Sequence, residues 1–182
     1  TNQPAEGTIT VNSVNIEENA TRQPVSYVLP PGVSRIVDSG QSQITQLNEQ
    51  SMQMKVEELK TGEARAVYRN TTLDLRTYKR LQMFVHNEAF INDVTNLRDG
   101  DVSLFLRLGT DAKNNYYEYE IPLAVTPPGQ YNTNSTSDRE KVWPTSNMLD
   151  LDLDVLTDVK KNRNAQKMAG SGDVSYYSRY SE

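Results

Sequence analysis

The chain has 182 residues, of which 19 are Lys or Arg and 24 are Asp or Glu, giving a net charge of −5. This length suits one domain or two small ones, and the acidic balance argues against a nucleic-acid binder, which needs a basic face to neutralise phosphates. The absence of cysteine excludes disulfides and thiolate catalysis, and the single histidine, His86, excludes a multi-histidine metal site within this chain. No apolar run approaches the roughly 20 residues of a spanning helix, so we expect that this segment does not span a membrane.

Alternating apolar residues predict short strands in the first third of the chain. Residues 1–6 are expected to be a disordered start, and residues 7–16 have the alternation of a strand. Residues 25–29 form a short extended segment that the following Pro-Pro-Gly ends, since proline fixes φ and removes a donor. Residues 37–47 are polar and are interpreted as a loop.

Residues 51–56 admit two interpretations. Their apolar residues alternate with Gln53 and Lys55 as in a strand, whereas Leu47, Met54 and Leu59 could also share one face of a helix. The unbroken alternation and the following Thr-Gly turn favour the strand. Residues 65–69 are predicted to form the next strand.

The middle of the chain carries the clearest strand signals. Residues 80–86 alternate, with Leu81, Met83 and Val85 on one face. After an Asp-Gly turn, Val102 and the next three even-numbered positions, all leucine, are apolar at a period of two. Residues 116–125 form another predicted strand, which should make a hairpin with the leucine strand across the polar loop between them.

The last part of the chain is predicted to be less regular. Residues 127–141 are rich in Pro, Gly, Asn, Ser and Thr and are expected to form a long loop. Leucines at 149, 151 and 153 alternate with aspartates, which predicts a strand, and residues 154–164 then favour a short helix with basic residues near its end. Residues 169–182 are interpreted as a flexible linker.

Seven or eight strands, long loops and one short helix near the C-terminus indicate an all-β fold. We expect a jelly-roll-like antiparallel β-sandwich, similar to carbohydrate-binding modules, formed by residues 1–168 as a single domain. The step from residue 73 to residue 81 also resembles the turn before a central strand in such modules.

Strand alternation predicts a polar-aromatic sheet face opposite the core. If the leucines face inward, the other side of these strands carries polar and aromatic side chains that could bind a sugar or an extended peptide. The residues selected as a candidate interaction face are Phe84, His86, Phe105, Arg107, Tyr116 and Glu118. A second layer could instead cover the aromatic rings, which would leave Arg107 with Glu118 or Glu120 as an ordinary cross-strand pair.

The sequence offers no motif for catalysis. No motif places a nucleophile or a carboxylate beside His86, and Glu118 and Glu120 lack further acidic residues on facing strands, so we expect no enzyme activity and no catalytic residue. No cofactor is expected. Two oxygen-rich loops, residues 99–101 and the loop holding Asp111 and Asn114, could hold structural calcium, but they lack EF-hand spacing and ordinary turn chemistry explains them.

A series of ordered segments resembles one known family. They are PVSYVLPPGV at 24–33, NEQSM at 48–52, ARAVYRNT at 64–71, DLRTYKRLQMFVH at 74–86, FLRLGTD at 105–111, NYYEYEIPL at 115–123 and VWP at 142–144. Together they are similar to an internal segment of the SprA/Sov family, the giant outer-membrane translocon of the type IX secretion system of Bacteroidota. The resemblance runs from about Gly7 to Asn164.

The resemblance implies a function in protein export and gliding motility at the bacterial outer membrane. It implies that this chain is a non-catalytic soluble module of the translocon, used in structural capping or protein–protein contact. Expected partners are other domains of the translocon, its accessory subunits and secreted cargo, and no nucleic acid. The resemblance leaves open whether the module faces the periplasm or the cell exterior. The alternative is a carbohydrate-binding jelly-roll module of a cell-surface protein.

Overall fold

The computed structural model describes residues 7–35, 37–38, 45–46, 49–72, 74–111 and 113–169. Its strands and helices follow one another as β1 (Thr8–Asn15), α1 (Ile16–Asn19), β2 (Val37–Asp38), β3 (Thr45–Gln46), β4 (Gln50–Glu57), β5 (Arg80–Met83), β6 (Ser103–Gly109), β7 (Tyr116–Pro122), α2 (Thr136–Val142), β8 (Leu149–Asp152) and α3 (Leu153–Met168). Short 3-10 turns cover Leu75–Thr77 and Thr145–Asn147. The predicted disordered start and all but the first residue of the predicted linker lie outside the described residues.

Cα distances divide the described chain into two compact units. One lies within residues 1–72 and 127–142, and the other within residues 73–126 and 143–182. Each unit is described by itself below. The single domain predicted over residues 1–168 stays a prediction.

The first unit is built on a two-stranded ribbon. β1 and β4 pair antiparallel over eight residues each, from Thr8 opposite Glu57 to Asn15 opposite Gln50. The strand interpretation of residues 51–56 is therefore confirmed. A second, two-residue pair joins β2 to β3, inside the segment predicted to be a loop. Residues 65–69 were predicted wrongly as a strand: they form no ladder, and Tyr68 is largely exposed, so no buried face holds them in a sheet.

The core of the first unit lies around residues 25–29. Val25 and Val28 are fully buried, and Val25 forms an isolated parallel bridge with Gly129. The buried Tyr27 hydroxyl donates to Glu49 Oε2 at 2.5 Å. Burial of the ring, with the Glu49 carboxylate beside the hydroxyl, raises the pKa of Tyr27 well above its ordinary value. This polar contact ties the core segment to the residue that precedes β4.

A helix lies in the segment predicted to be a long loop. α2 presents Arg139, whose guanidinium donates to the main-chain carbonyls of Leu29, Pro30 and Val33. A proline-rich turn has few donors of its own, and the arginine fork supplies hydrogen bonds to its carbonyls in addition to the one that Val33 N–H donates to the Pro30 carbonyl. The loop prediction for residues 127–141 was wrong from Thr136 onward.

The second unit contains the predicted hairpin. β6 and β7 pair antiparallel from Ser103 opposite Pro122 to Gly109 opposite Tyr116. β5 pairs antiparallel with β8, from Arg80 opposite Asp152 to Met83 opposite Leu149. β5 is thus shorter than the predicted strand of residues 80–86, because β8 begins only at Leu149.

Leucines of β8 and α3 form the centre of the core of the second unit. Leu149, Leu151 and Leu153 are buried there, and partly buried side chains pack against them: Leu75, Leu81, Leu104, Leu106, Tyr119, Ile121 and Leu156. The inward side predicted for the hairpin leucines is confirmed at positions 104 and 106. Met83 was predicted to face the core but is exposed.

The buried side-chain amide of Asn147 binds the main chain just after β7. Asn147 is 0% exposed; its Oδ1 accepts from the Ala124 main-chain N–H at 2.7 Å, and its Nδ2 donates to the Ala124 carbonyl at 2.9 Å. The side chain thereby replaces a missing strand partner just beyond β7.

The described structure confirms a β-rich fold, made of four two-stranded sheets with three helices. The jelly-roll sandwich is not confirmed and stays a prediction. The predicted helix near the C-terminus is present as α3, but it is longer than expected and spans 16 residues. Within the described ranges, no helix has the length and apolar character needed to cross a membrane.

Candidate functional site

The six residues of the predicted interaction face fall into two groups within the second unit. Phe105, Arg107, Tyr116 and Glu118 lie together on the β6–β7 hairpin, and we call them the hairpin face. Phe84 and His86 follow β5 and contact Trp143, and we call these three with Glu88 and Thr126 the histidine cluster. The structure thus brings together four of the six predicted residues.

Arg107 contacts the other three residues of the hairpin face. Its guanidinium carbon lies 4.3 Å from the centroid of the Tyr116 ring and 5.1 Å from that of Phe105. Arg107 Nε donates to Glu118 Oε2 at 2.5 Å. The hydrogen bond that Arg107 donates to Glu118 raises the pKa of Arg107 above its already high value, so the side chain stays charged.

The register of the hairpin explains this arrangement. Arg107 lies directly opposite Glu118, and Gly109 lies opposite Tyr116. The side chains of Arg107, Glu118 and Tyr116 therefore extend from the same side of the sheet. Gly109 is required at this point, because a Cβ there would collide with the carbonyl oxygen of Asn115 and with the Cα of Tyr116. The close approach of the two strands holds the tyrosine ring beside the arginine.

The hairpin face is partly open to solvent and carries charge. The Arg107 side chain is 36% exposed and that of Glu118 is 32% exposed. An exposed ion pair contributes about 0–1 kcal/mol to stability, and an exposed cation–π contact about 0.5–1 kcal/mol. Because these terms are small, the hairpin face adds little to folding, and its partly exposed side chains are accessible to another molecule.

The histidine cluster is more enclosed. The rings of Phe84 and His86 meet that of Trp143 edge-on, with centroid distances of 6.4 and 5.8 Å. His86 Nε2 lies 3.0 Å from Glu88 Oε2, and His86 Nδ1 lies 3.2 Å from the Thr126 hydroxyl. The imidazole therefore lies between a carboxylate and a hydroxyl, as in nucleophilic triads, but its Nδ1 faces the hydroxyl and its Nε2 the carboxylate, which is the reverse of the serine-protease arrangement.

The surroundings of the hydroxyl oppose such chemistry. Thr126 is only 3% exposed, and the neighbouring Trp143 is 8% exposed. A nucleophile must reach the substrate, and a hydroxyl so covered has no room beside it for a reacting carbonyl. The geometry supports a packing role for the histidine cluster.

Sequence reasoning missed three members of the histidine cluster. Trp143 and Thr126 lie 57 and 40 positions from His86, a separation that periodicity does not bridge. Glu88 is two residues from His86 and could have been found as a local partner of the histidine. The rarity of tryptophan, which occurs once in the chain, was the signal available for Trp143.

In both candidate calcium loops, aspartate oxygens already accept hydrogen bonds from main-chain N–H groups. Asp111 Oδ1 accepts from the main-chain N–H groups of Lys113 and Asn114, at 2.9 and 2.6 Å. These hydrogen bonds, that from Asn114 first, lower the pKa of Asp111 to about 2. Asp99 Oδ1 accepts from the Val125 N–H at 2.7 Å. Among the described residues no three His, Cys, Asp or Glu side chains gather as metal ligands would.

Comparison with known proteins agrees with the resemblance seen in the sequence. The family model SprA_N, described as a motility related/secretion protein, matches residues 1–182. No curated protein matches the chain. Membership in a secretion-related family associates the chain with the cell envelope. Because the match covers the whole sequence, the chain belongs to the SprA_N family of motility related/secretion proteins.

Proposed function

We propose that this chain is a non-catalytic contact module of an outer-membrane protein-secretion translocon of the type IX system, which also supports gliding motility. It acts by structural capping or by binding other domains of the translocon, its accessory subunits or its cargo. Family membership supports the secretion role. The observation that carries the contact role is the hairpin face, where Arg107 is held between two aromatic rings and paired with Glu118.

Composition and preorganisation make the hairpin face suitable for protein contact. Arginine and tyrosine are enriched at the energetic centres of protein interfaces, where rigid side chains lose little entropy on binding. The guanidinium of Arg107 already stacks on the Tyr116 ring and pairs with Glu118. Its remaining N–H groups can donate to a carboxylate or carbonyl of a neighbouring protein.

The rival function is a carbohydrate-binding module. Sugar sites of that class need aromatic rings whose faces are open to the ligand. Here the guanidinium of Arg107 lies over the Phe105 and Tyr116 rings, and Phe84 is turned toward Trp143. The arrangement of the rings therefore favours the contact module.

A glycan array of the purified chain separates the two functions. We expect no glycan to bind, with circular dichroism showing that the chain is folded. Phe105→Ala and Phe84→Ala serve as controls for the two groups of the predicted face. Glycan binding that Phe105→Ala abolishes would make this a carbohydrate-binding module and would refute the proposed contact role of the hairpin face.

A further inference from the structure

Next to the hairpin face lies a carboxylate that has no cation beside it. Glu120 is directly opposite Phe105 in the β6–β7 ladder and two residues beyond Glu118, so it extends from the same side of the sheet, where it is exposed. Among the described residues no lysine, arginine or histidine pairs with Glu120, whereas Glu118 pairs with Arg107. This side of the hairpin therefore carries two carboxylates and one cation.

The hairpin face itself shows which group binds between a carboxylate and an aromatic ring on this sheet. The guanidinium of Arg107 stacks on the Tyr116 ring at 4.3 Å and pairs with Glu118. A planar cation suits this position because both the ring face and the carboxylate attract it. Phe105 and Glu120 repeat the ring and the carboxylate at the next position of the ladder, but their carboxylate has no guanidinium of its own.

The residues that follow along the ladder leave space beside this second pair. Ser103 lies opposite Pro122, next to Phe105 and Glu120 on the same side of the sheet, and both are exposed. Arg107 approaches the Phe105 ring from the other direction along β6, with its guanidinium carbon 5.1 Å from the ring centroid. A serine side chain is short, so the partly exposed ring can be reached from the Ser103 end by a side chain of another protein.

We propose that Phe105 and Glu120 form a docking site for an arginine side chain of the protein that the hairpin face contacts. The incoming guanidinium pairs with the Glu120 carboxylate and stacks on the Phe105 ring beside Ser103, which brings the charge on this side of the hairpin to zero. Arginine fits better than lysine because its planar fork can donate two parallel hydrogen bonds to a carboxylate while it lies on a ring. This inference rests on the proposed contact role and names the chemistry of the partner.

The test uses the ¹⁵N-labelled 182-residue chain and two synthetic peptides, acetyl-Gly-Ser-Xaa-Ser-Gly-amide, in which Xaa is arginine or citrulline. Citrulline has nearly the same shape as arginine but carries no charge. Amide shifts recorded during a titration at low salt give both the affinity and the location of binding. We expect the arginine peptide to bind about fivefold more tightly than the citrulline peptide, with its largest shifts at Phe105 and Glu120.

Two matched variants test the assigned carboxylate. Glu120→Gln removes a charge at the proposed site, and Glu140→Gln removes the same charge from an exposed position of α2, in the other unit. Glu120→Gln should weaken binding of the arginine peptide about two- to fivefold, and Glu140→Gln should leave it unchanged. Equal affinities of the two peptides, equal effects of the two variants, or shifts that avoid Phe105 and Glu120 would each overturn the proposal.

The contact role is measured separately, by the secretion of cells that carry Arg107→Ala. Reduced secretion together with equal affinities of the two peptides would refute the arginine partner and keep the contact role. Normal secretion would refute the contact role, and with it the assignment of this site to a partner of the translocon.

Discussion

Replacing Asn147 by alanine should destabilise the second unit more than any surface change in the same turn. The side chain is fully buried, and it satisfies both the N–H and the C=O of Ala124 at 2.7 and 2.9 Å. Asn147→Ala leaves these two main-chain groups without their partner. Each buried unsatisfied group costs about 1–3 kcal/mol, so the expected loss in free energy of unfolding for the two groups is about 2–6 kcal/mol.

The assay is urea unfolding followed by far-ultraviolet circular dichroism and by the fluorescence of Trp143, the one tryptophan of the chain. Ser146→Ala, an exposed position in the same turn, is the matched control and should change stability by less than about 0.5 kcal/mol. A loss below about 0.5 kcal/mol for Asn147→Ala would refute the reasoning, since it would mean that the amide does not anchor the end of the hairpin.

Three further changes test the core, the hairpin and the Asp111 turn. Leu149→Ala, at a fully buried position of the core, should lower the free energy of unfolding by about 2–5 kcal/mol, measured in urea; a loss under about 1 kcal/mol would contradict the assigned core. Gly109→Ala should cost about 1–3 kcal/mol, because the new Cβ collides with the facing main chain; unchanged stability would show that the strands separate freely there. Asp111 has its pKa lowered to about 2, so its stabilising effect is present above the ordinary carboxyl pKa near 4 and is lost as pH falls from about 4 to 2. Asp111→Asn should be less stable than the parent chain at pH 7, and the difference should shrink toward pH 2; a pH-independent difference would contradict this assignment.

Local periodicity sufficed to predict the hairpin and its inward side. A period of two fixes which residues share a face, so a pair of Arg107 with Glu118 or Glu120 followed from the sequence, and the register of the structure selects Glu118. The same logic predicted β1, β4 and β8. In each of these elements, apolar and polar residues alternate over at least four positions next to a clear turn.

The position of Phe84 and His86 could not be predicted by that logic. Alternation predicted that both residues share a face with Phe105 and Arg107. The ladder of β5 ends at Met83, opposite Leu149, and the rings of Phe84 and His86 contact Trp143 instead. Where a strand ends depends on the length of its partner, and β8 lies more than 60 residues away in the sequence. Such a long-range limit leaves no local signal in residues 80–86.

The missed helix α2 illustrates a weaker local signal. Val142 is its one buried residue, so no apolar stripe marked a helix within the polar segment. A cap was present, however: Ser135 Oγ accepts from the Asp138 N–H at 3.3 Å. The Ser-x-x-Asp spacing resembles a capping box and was the available evidence for a helix start.

The most direct test of the contact role is secretion by cells that carry Arg107→Ala in the intact translocon protein. Arg80→Ala is the matched control, because Arg80 also pairs with a carboxylate on the facing strand, Asp150, and its guanidinium is exposed. Arg80→Ala removes one exposed ion pair and should cost about 1 kcal/mol or less in stability. Arg107→Ala removes an ion pair and two cation–π contacts and should cost about 1–3 kcal/mol, so the protein level is measured for both variants. We expect Arg107→Ala to reduce secreted cargo severalfold at unchanged protein level, while Arg80→Ala secretes normally. Normal secretion by both variants, or an equal loss in both, would contradict a contact role for the hairpin face.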